Sequence, residues 1–143
     1  MSQKTYDMNT TGYSGTPLVK KLGIKAGDRI HVVNAPANYF DLVAPLPNEV
    51  TIRKRATDNL SFVHLFTTSR AELAKLLAKF LPRIQRSGMI WVSWPKKAAK
   101  VETDVTEDVV RSEALKHDLV DVKVAVIDNV WSGLKLVVRV DCR

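Results

Sequence analysis

Residues suited to binding a small anion lie just after apolar segments of the sequence. Asn34, Thr67 and Lys96 each follow a run of mostly apolar residues within two positions. Their amide, hydroxyl and ammonium groups can hydrogen-bond a phosphate or a carboxylate. If the runs are parallel strands, their carboxyl ends meet at one edge of a sheet, where such sheets bind ligands. The candidate ligand-binding residues at this edge are Asn34, Pro36, Tyr39, Thr67, Ser93, Trp94, Lys96 and Trp131.

Two aromatic residues in this set are suited to stacking on a ring of the ligand. Trp94 and Trp131 stand at the ends of apolar runs, whereas Trp91 alternates with Ser93 and is expected in the core. Tryptophans in strands more often serve packing than binding. Packing at the rim of the core is therefore the alternative for both.

Patterns for catalysis or metal binding are missing from the sequence. One cysteine, Cys142, and three histidines give no metal-ligand spacing, and there is no Ser-His-Asp order, H-E-x-x-H motif or Walker loop. His31 and His64 lie inside apolar runs, so we expect them to be buried, neutral and hydrogen-bonded locally. A paired acid–base role is the alternative. Neither a cofactor nor an oligomeric state follows from the sequence, and enzymatic activity stays an open question.

The charge of the chain favours anionic partners. The formal net charge is +7, from 22 Lys and Arg against 15 Asp and Glu. The charge is spread along the chain, so a solvated basic surface is the simpler interpretation. One basic helix face is an alternative contact for nucleic acid, but no aromatic platform or RNA-binding signature accompanies it. The residues of this basic helix face are Arg70, Lys75, Lys79, Arg83 and Arg86.

The segment 59–94 is the centre around which the other elements are arranged. The apolar run 60–66, a helix opening at Ser69 and the apolar run 89–94 have the spacing of a parallel β-α-β crossover. Parallel pairing would bring the polar residues after both runs to the same edge.

The helix of this unit has a clear beginning and end. Ser69 and Glu72 form an S-x-x-E capping box, in which each side chain bonds the other residue's backbone N–H. Pro82 is expected to kink or restart the helix, and Gly88 to close the segment. The predicted buried stripe consists of Leu73, Leu76, Leu77, Phe80 and Leu81.

Elements of the same kinds flank this unit. The pattern before it predicts a flexible tail 1–15, a helix 16–23 capped by Thr16, a strand 29–34, a short helix 39–43 starting at Asn38, and an edge strand 49–54. The pattern after it predicts a helix capped by Thr106, with Val109, Val110, Ala114 and Leu115 on its buried side, and two strands, 120–127 and 131–141. Ser132–Gly133 predicts a bulge in the last strand.

Together these elements predict an α/β fold of one domain, residues 16–143. We expect a Rossmann-like, mostly parallel sheet of about six strands with helices on both faces and a C-terminal antiparallel hairpin. The layout resembles a shortened class I S-adenosylmethionine (SAM) methyltransferase. The segment 23–30, G-I-K-A-G-D-R-I, is similar to the segment that opens the first strand in that fold, and 121–141 is similar to its final hairpin.

A closer resemblance covers 12–143, nearly the whole chain. It is to a family of short bacterial proteins classed only as a domain of unknown function, and it implies a fold but no activity. The stretches that carry it are G-Y-S-G-T-P-L at 12–18, W-V-S-W-P-K-K at 91–97, L-V-D-V-K-V at 119–124 and W-S-G-L-K at 131–135.

The departures from methyltransferases bear on function. In that fold the loop after the first strand carries glycines and an acidic residue, and a second acid ends the next strand and bonds the ribose hydroxyls. Here 34–38 has neither glycine nor acid, and Arg53-Lys54-Arg55 replaces the second acid. We therefore favour non-catalytic binding or regulation through a crevice at the carboxyl ends of the strands, with a small anionic ligand. The alternatives are a degenerate methyltransferase-like transferase, and nucleic-acid or protein-partner binding through the basic helix face.

The cellular location is predicted from what the sequence lacks. No apolar run approaches the roughly 20 residues of a membrane span, and the N-terminal residues have no apolar core of a secretory signal. With its single cysteine, the chain is predicted to be a cytoplasmic protein without membrane contact.

Overall fold

Six strands form the sheet, and the helices alternate with them along the chain. The computed structural model describes residues 15–142, so the predicted tail 1–15 lies outside the described residues apart from Gly15. The helices are α1 (Leu18–Leu22), α2 (Tyr39–Leu42), α3 (Arg70–Phe80) and α4 (Glu107–Leu115). The strands are β1 (Arg29–Val33), β2 (Thr51–Ile52), β3 (Leu60–Phe66), β4 (Ile84–Pro95), β5 (Leu119–Val126) and β6 (Trp131–Val138).

The strand order in the sheet is β2-β1-β3-β4-β6-β5. The first four strands in this order are parallel to one another, whereas β6 is antiparallel to both β4 and β5. This confirms the predicted Rossmann-like sheet with its C-terminal antiparallel hairpin. Because β2 and β3 flank β1, the strand order reverses between β1 and β3, the kind of position where open α/β sheets bind ligands.

Helices cover both faces of the sheet, and each face has its own apolar core. We call the side covered by α3 and α4 the α3–α4 face, and the side covered by α1 and α2 the α1–α2 face. The core of the α3–α4 face includes Val63, Leu65, Leu73, Leu77, Ile90, Val92, Trp94, Val110 and Leu134. The core of the α1–α2 face includes Leu22, Tyr39, Phe62, Phe66 and Trp91. Burial of these side chains is the main force that holds the helices on the sheet.

The start of α3 keeps half of the predicted capping box. The Ser69 hydroxyl accepts a hydrogen bond from the Glu72 backbone N–H at 3.1 Å, as expected. The Glu72 side chain does not bond the Ser69 backbone N–H directly, because the Thr67 hydroxyl lies between them. Thr67 Oγ1 accepts from the Ser69 N–H at 3.1 Å and donates to Glu72 Oε1 at 2.6 Å. Thr67 thus satisfies both groups and fixes the turn between β3 and α3.

Several predicted boundaries were wrong. Pro17, not Thr16, precedes α1, and no side chain caps that helix. The edge strand β2 has only two residues. Gly88 does not close the α3 segment but lies inside β4, beside the register shift between Leu60 and Phe62. A Cβ on Gly88 would lie only 3.0 Å from the Gln85 carbonyl oxygen, so the close backbone approach explains this glycine.

The predicted bulge at Ser132–Gly133 was also wrong. Both residues pair regularly with β4 and β5, and the register shift in the hairpin falls between Asp121 and Lys123 instead. A Cβ on Gly133 would lie 3.0 Å from Ile127 Cδ1 and 3.1 Å from Trp91 Cε3. The glycine is therefore needed for side-chain packing on the α1–α2 face, not for a bend.

The buried side of α4 differs from the prediction at two positions, Leu115 and Glu113. Leu115 is 60% exposed, whereas Glu113 is only 3% exposed. The Glu113 carboxylate accepts from Arg70 Nε at 2.9 Å and from Lys116 Nζ at 3.1 Å. Burial raises the pKa of Glu113, but these two hydrogen bonds outweigh burial and lower its pKa overall. The ion pair therefore ties α4 to the start of α3.

Asp118, which follows α4, has a backbone conformation that a substitution can test. Asp118 has φ 59°, the left-handed conformation in which glycine is favoured. Asp118→Gly is expected to raise the free energy of unfolding by about 0.5–1 kcal/mol, measured by urea denaturation. Ser112→Gly in the exposed middle of α4 is the matched control and should lower it by about 1 kcal/mol. Equal losses of unfolding free energy in both variants would contradict a left-handed conformation at Asp118.

Among residues 15–142, no helix is long and apolar enough to cross a membrane.

Candidate functional site

The carboxyl ends of β1, β3 and β4 are joined at one edge of the sheet. The Asn34 side-chain amide donates to the Phe66 carbonyl at 3.1 Å, and the Thr67 backbone N–H donates to the Ser93 carbonyl at 3.1 Å. Asn34 has φ 58°, so the chain turns there without a glycine. The residues predicted to follow neighbouring strands therefore lie at a common rim, while their role in binding stays a prediction.

Beneath this rim, three polar side chains form a buried hydrogen-bonded chain. His64 Nδ1 lies 2.9 Å from the Tyr39 hydroxyl, and His64 Nε2 lies 2.7 Å from the Ser93 hydroxyl. A neutral imidazole donates to one of these hydroxyls and accepts from the other. We call these residues the Tyr39–His64–Ser93 trio; all are buried.

Burial sets the protonation of the trio. It lowers the pKa of His64 from 6.5 to about 3 and raises the pKa of the Tyr39 hydroxyl. Both groups are thus neutral near pH 7, which confirms the expectation of a buried, locally bonded His64. A serine hydroxyl beside a histidine is also the arrangement of an activated nucleophile. Here no face of Ser93 reaches solvent, so the trio links α2, β3 and β4 rather than meeting a substrate.

The sheet separates the predicted site residues into two groups. Tyr39, Ser93 and Trp131 belong to the α1–α2 face, where Trp131 packs edge-on against Phe66 with ring centroids 5.1 Å apart. Trp94 points to the opposite, α3–α4 face, because neighbouring residues of a strand alternate sides. The sheet therefore places Trp94 on the face opposite to Tyr39, Ser93 and Trp131, and the common role of the eight residues in binding stays a prediction.

A cavity of about 440 Å³ lies on the α3–α4 side, beyond the end of β4. Trp94 and Val105 give it an apolar wall, and Lys96 and Lys97 bring positive charge. Neither lysine forms an ion pair within the described residues. The full lining is Trp94, Pro95, Lys96, Lys97, Val101, Thr103, Val105 and Thr106; we call it the β4 cavity.

Half of this cavity comes from the segment 101–106, which sequence reasoning missed. Thr103 Oγ1 donates to the Thr68 carbonyl at 2.7 Å, and Asp104 Oδ1 accepts from the Arg70 backbone N–H at 2.7 Å. These bonds hold the segment against the β3–α3 turn. Val105 was the available signal, since an apolar residue in a polar loop indicates a packed position, and this side chain is buried.

The charge around the β4 cavity is uneven. Glu102 and Asp104 line an adjoining cavity of about 330 Å³ with Thr68, Ser69 and Thr103. A negatively charged group is therefore favoured only at the end where Lys96 and Lys97 lie.

The basic helix face is partly neutralised. Arg70 pairs with Glu113 at 2.9 Å and Arg83 with Asp58 at 3.1 Å, while Lys79 Nζ lies 5.5 Å from the centroid of the Phe80 ring. At least two of its five cations therefore already have carboxylate partners, which weakens the case for nucleic acid.

Comparison with solved structures places this fold with SAM-dependent methyltransferases. The chain is similar to a SAM-dependent methyltransferase from Aquifex aeolicus, with a TM-score of 0.59 and 14% identity over 83% of this chain and 86% of that chain. It is also similar to magnesium protoporphyrin IX methyltransferase from Synechocystis PCC 6803 with bound SAM (TM-score 0.57, 8% identity, 85% of this chain and 76% of that chain). A protein of the NADB-Rossmann superfamily from Streptococcus agalactiae has a TM-score of 0.54 and 11% identity, over 92% of this chain and 72% of that chain. Identities this low establish the fold alone.

No family model and no curated protein matches the chain. The resemblance to a family of short bacterial proteins of unknown function therefore stays a prediction. The shortened methyltransferase-like layout is confirmed.

The residues at the ends of β1 and β2 do not fit SAM. Arg53, Lys54 and Arg55 follow β2, and their side chains only donate hydrogen bonds, so they cannot accept from a ribose diol as a carboxylate does. In the loop after β1, the Asn34 amide is bound to the neighbouring strand, and no glycine at 34–38 lets the backbone approach a ligand closely. No methyl-transfer step follows from these residues.

Proposed function

We propose that this chain is a non-catalytic binding protein on a methyltransferase-like fold, which takes a small anionic ligand in the β4 cavity. The observation that carries the proposal is the pairing of an indole wall with two lysines that lack acidic partners in the described part of the chain. The cavity volume is within the range of roughly 300–1,000 Å³ usual for small-molecule sites.

The lining indicates the chemistry of the ligand. Trp94 is only 7% exposed and offers a small apolar contact to the ligand, and Lys96 and Lys97 suit a phosphate or carboxylate. A nucleotide or a sugar phosphate combines both features. The acidic side chains of the adjoining cavity orient the ligand, because they repel its anionic end toward the lysines.

A thermal-shift panel of nucleotides and sugar phosphates tests this proposal. At least one compound is expected to raise the melting temperature, and Lys96→Ala should weaken its binding about fivefold to tenfold, since one charge-assisted contact is worth about 1–1.4 kcal/mol. Lys75→Ala, which removes an exposed charge from α3, is the matched control and should retain the shift. If no compound stabilises the protein, or if Lys96→Ala behaves like Lys75→Ala, the proposal fails.

A degenerate transferase is the second candidate, and the fold is what favours it. SAM and its demethylated product, S-adenosylhomocysteine, belong in the same panel. Because the residues after β1 and β2 lack the usual acceptors, we expect no shift from either compound. A saturable shift from both, unaffected by Lys96→Ala, would favour the transferase instead.

A further inference from the structure

Three lysines converge beside α1, away from the β4 cavity. Lys123 and Lys135 are directly opposite each other on the antiparallel strands β5 and β6. The Lys135 ammonium lies beside Gly23, 3.8 Å from where a Cβ of that residue would be, and Lys25 follows two positions later. We call Lys25, Lys123 and Lys135 the lysine cluster.

The ammonium groups of the cluster form no ion pair within residues 15–142, although the Asp28 carboxylate accepts from the Lys25 backbone N–H at 2.8 Å. None of its ammonium groups has a carboxylate within 4.0 Å. Like charges directly opposite in a sheet are destabilising. Burial lowers the pKa of Lys135, and the positive charges of Lys123 and Lys25 lower it further. The Lys135 ammonium is therefore close enough to Lys123 and to Lys25 to be repelled by both.

Capping of α1 does not account for the cluster. The Lys20 and Val19 carbonyls accept from the backbone N–H groups of Gly23 and Ile24. The Leu22 carbonyl accepts from Trp91 Nε1 at 2.9 Å, and the Lys21 carbonyl accepts from Lys123 Nζ at 3.0 Å. Of the three ammonium groups, the end of α1 thus binds that of Lys123. Capping of α1 does not explain why Lys25 and Lys135 lie there.

We propose that the lysine cluster is a second binding site, for a multiply charged phosphate anion such as a pyrophosphate group. Such an anion offers several acceptor oxygens to converging ammonium groups and removes their mutual repulsion. An adjoining groove of about 320 Å³, lined by Thr16, Lys21, Lys123 and Val124 to Val126, leaves room for the rest of a phosphorylated ligand. The site is independent of the β4 cavity, because Lys135 pairs with Trp91 and lies on the α1–α2 side of the sheet.

Calorimetric titration with inorganic pyrophosphate, at an ionic strength held constant with NaCl, tests this site. Lys135→Met keeps a side chain of similar length but removes the charge, and it is expected to weaken binding about tenfold. Lys75→Met is the control for loss of an exposed charge and should retain the affinity, whereas Lys96→Ala reports on the β4 cavity and should leave the effect of Lys135→Met on binding unchanged. In the wild type, the lysine ¹³Cε NMR signal of Lys135 should titrate at higher pH when pyrophosphate is bound.

Three results would overturn the site. One is an equal affinity for Lys135→Met and Lys75→Met, and another is a pyrophosphate effect that NaCl alone reproduces. The third is binding lost in Lys96→Ala but kept in Lys135→Met, which would assign the anion to the β4 cavity. If Lys135→Met does not fold, the pyrophosphate affinity of Lys123→Met and the NMR titration of the wild type test the site instead.

Discussion

Acidification from pH 6.5 toward pH 3 is expected to lower the free energy of unfolding by about 4–5 kcal/mol through His64 alone. In the folded chain the pKa of His64 is lowered to about 3, while in the unfolded chain it returns to 6.5. Between these values the unfolded state binds a proton that the folded state does not. Stability is therefore complete above pH 6.5 and falls by about 1.4 kcal/mol per pH unit below it, until His64 is protonated in both states.

The pH dependence of two variants isolates this contribution. His64→Gln removes the titrating ring, so its unfolding free energy should change little between pH 6.5 and 4.5. Glu113 adds acid sensitivity only below about pH 4.5, because its pKa is lowered in the folded chain. His31→Gln leaves the Tyr39–His64–Ser93 trio in place and should keep the wild-type slope. A wild-type slope in His64→Gln would show that His64 is not buried and neutral as described.

Gly133→Val is expected to lower the free energy of unfolding by about 3 kcal/mol. Even a Cβ at this position lies 3.1 Å from Trp91 and 3.0 Å from Ile127. Both neighbours are buried, and Trp91 is held by its bond to the Leu22 carbonyl. The added methyl groups of valine therefore displace the indole and strain its bond to the Leu22 carbonyl. Urea denaturation measures the loss, and Gly133→Ala should show about half of it.

A double-mutant cycle shows whether the indole causes this loss. Trp91→Leu removes the ring atoms beside Gly133 at a cost of its own. Gly133→Ala should then destabilise the Trp91→Leu protein less than the wild type, by about 1 kcal/mol. Simple additivity of the two substitutions would mean that Gly133 is needed for another reason.

The sequence predicted most of the fold where the signal was local. β3 has the predicted bounds, because a mostly apolar run flanked by polar residues leaves little choice. Thr106 caps α4 and Gly23 ends α1 in the left-handed conformation, since both depend on one residue's own chemistry. Of the predicted buried stripe, Leu73, Leu77 and Phe80 of α3 are buried, whereas Leu76 and Leu81 are partly buried.

What the sequence did not predict depends on contacts between distant segments. Gly133 faces Trp91 across the sheet, and nothing near Gly133 in the sequence indicates that neighbour. Glu113 is buried only because Arg70, forty-three positions earlier, reaches it. The β4 cavity needs the segment 101–106 to fold back on Thr68. In the same way, the division of the predicted site residues between two faces became visible only with the strand register.

These features are the basis on which we propose binding rather than methyl transfer for this fold. The strand order matches that layout, but the loop and strand ends that would receive SAM carry an amide bound to the sheet and three cations. The β4 cavity combines instead an apolar wall with positive charge. Because a shared sheet topology does not determine function, the function has to be inferred from the residues of the site.

A crystal structure of the protein soaked with the most stabilising compound of the panel tests the central claim most directly. The account predicts electron density against the Trp94 indole, with the anionic group of the compound within about 4 Å of the ammonium of Lys96 or Lys97. Density between the ends of β1 and β2, beside Arg53, would contradict it and return the methyltransferase-like site to first place.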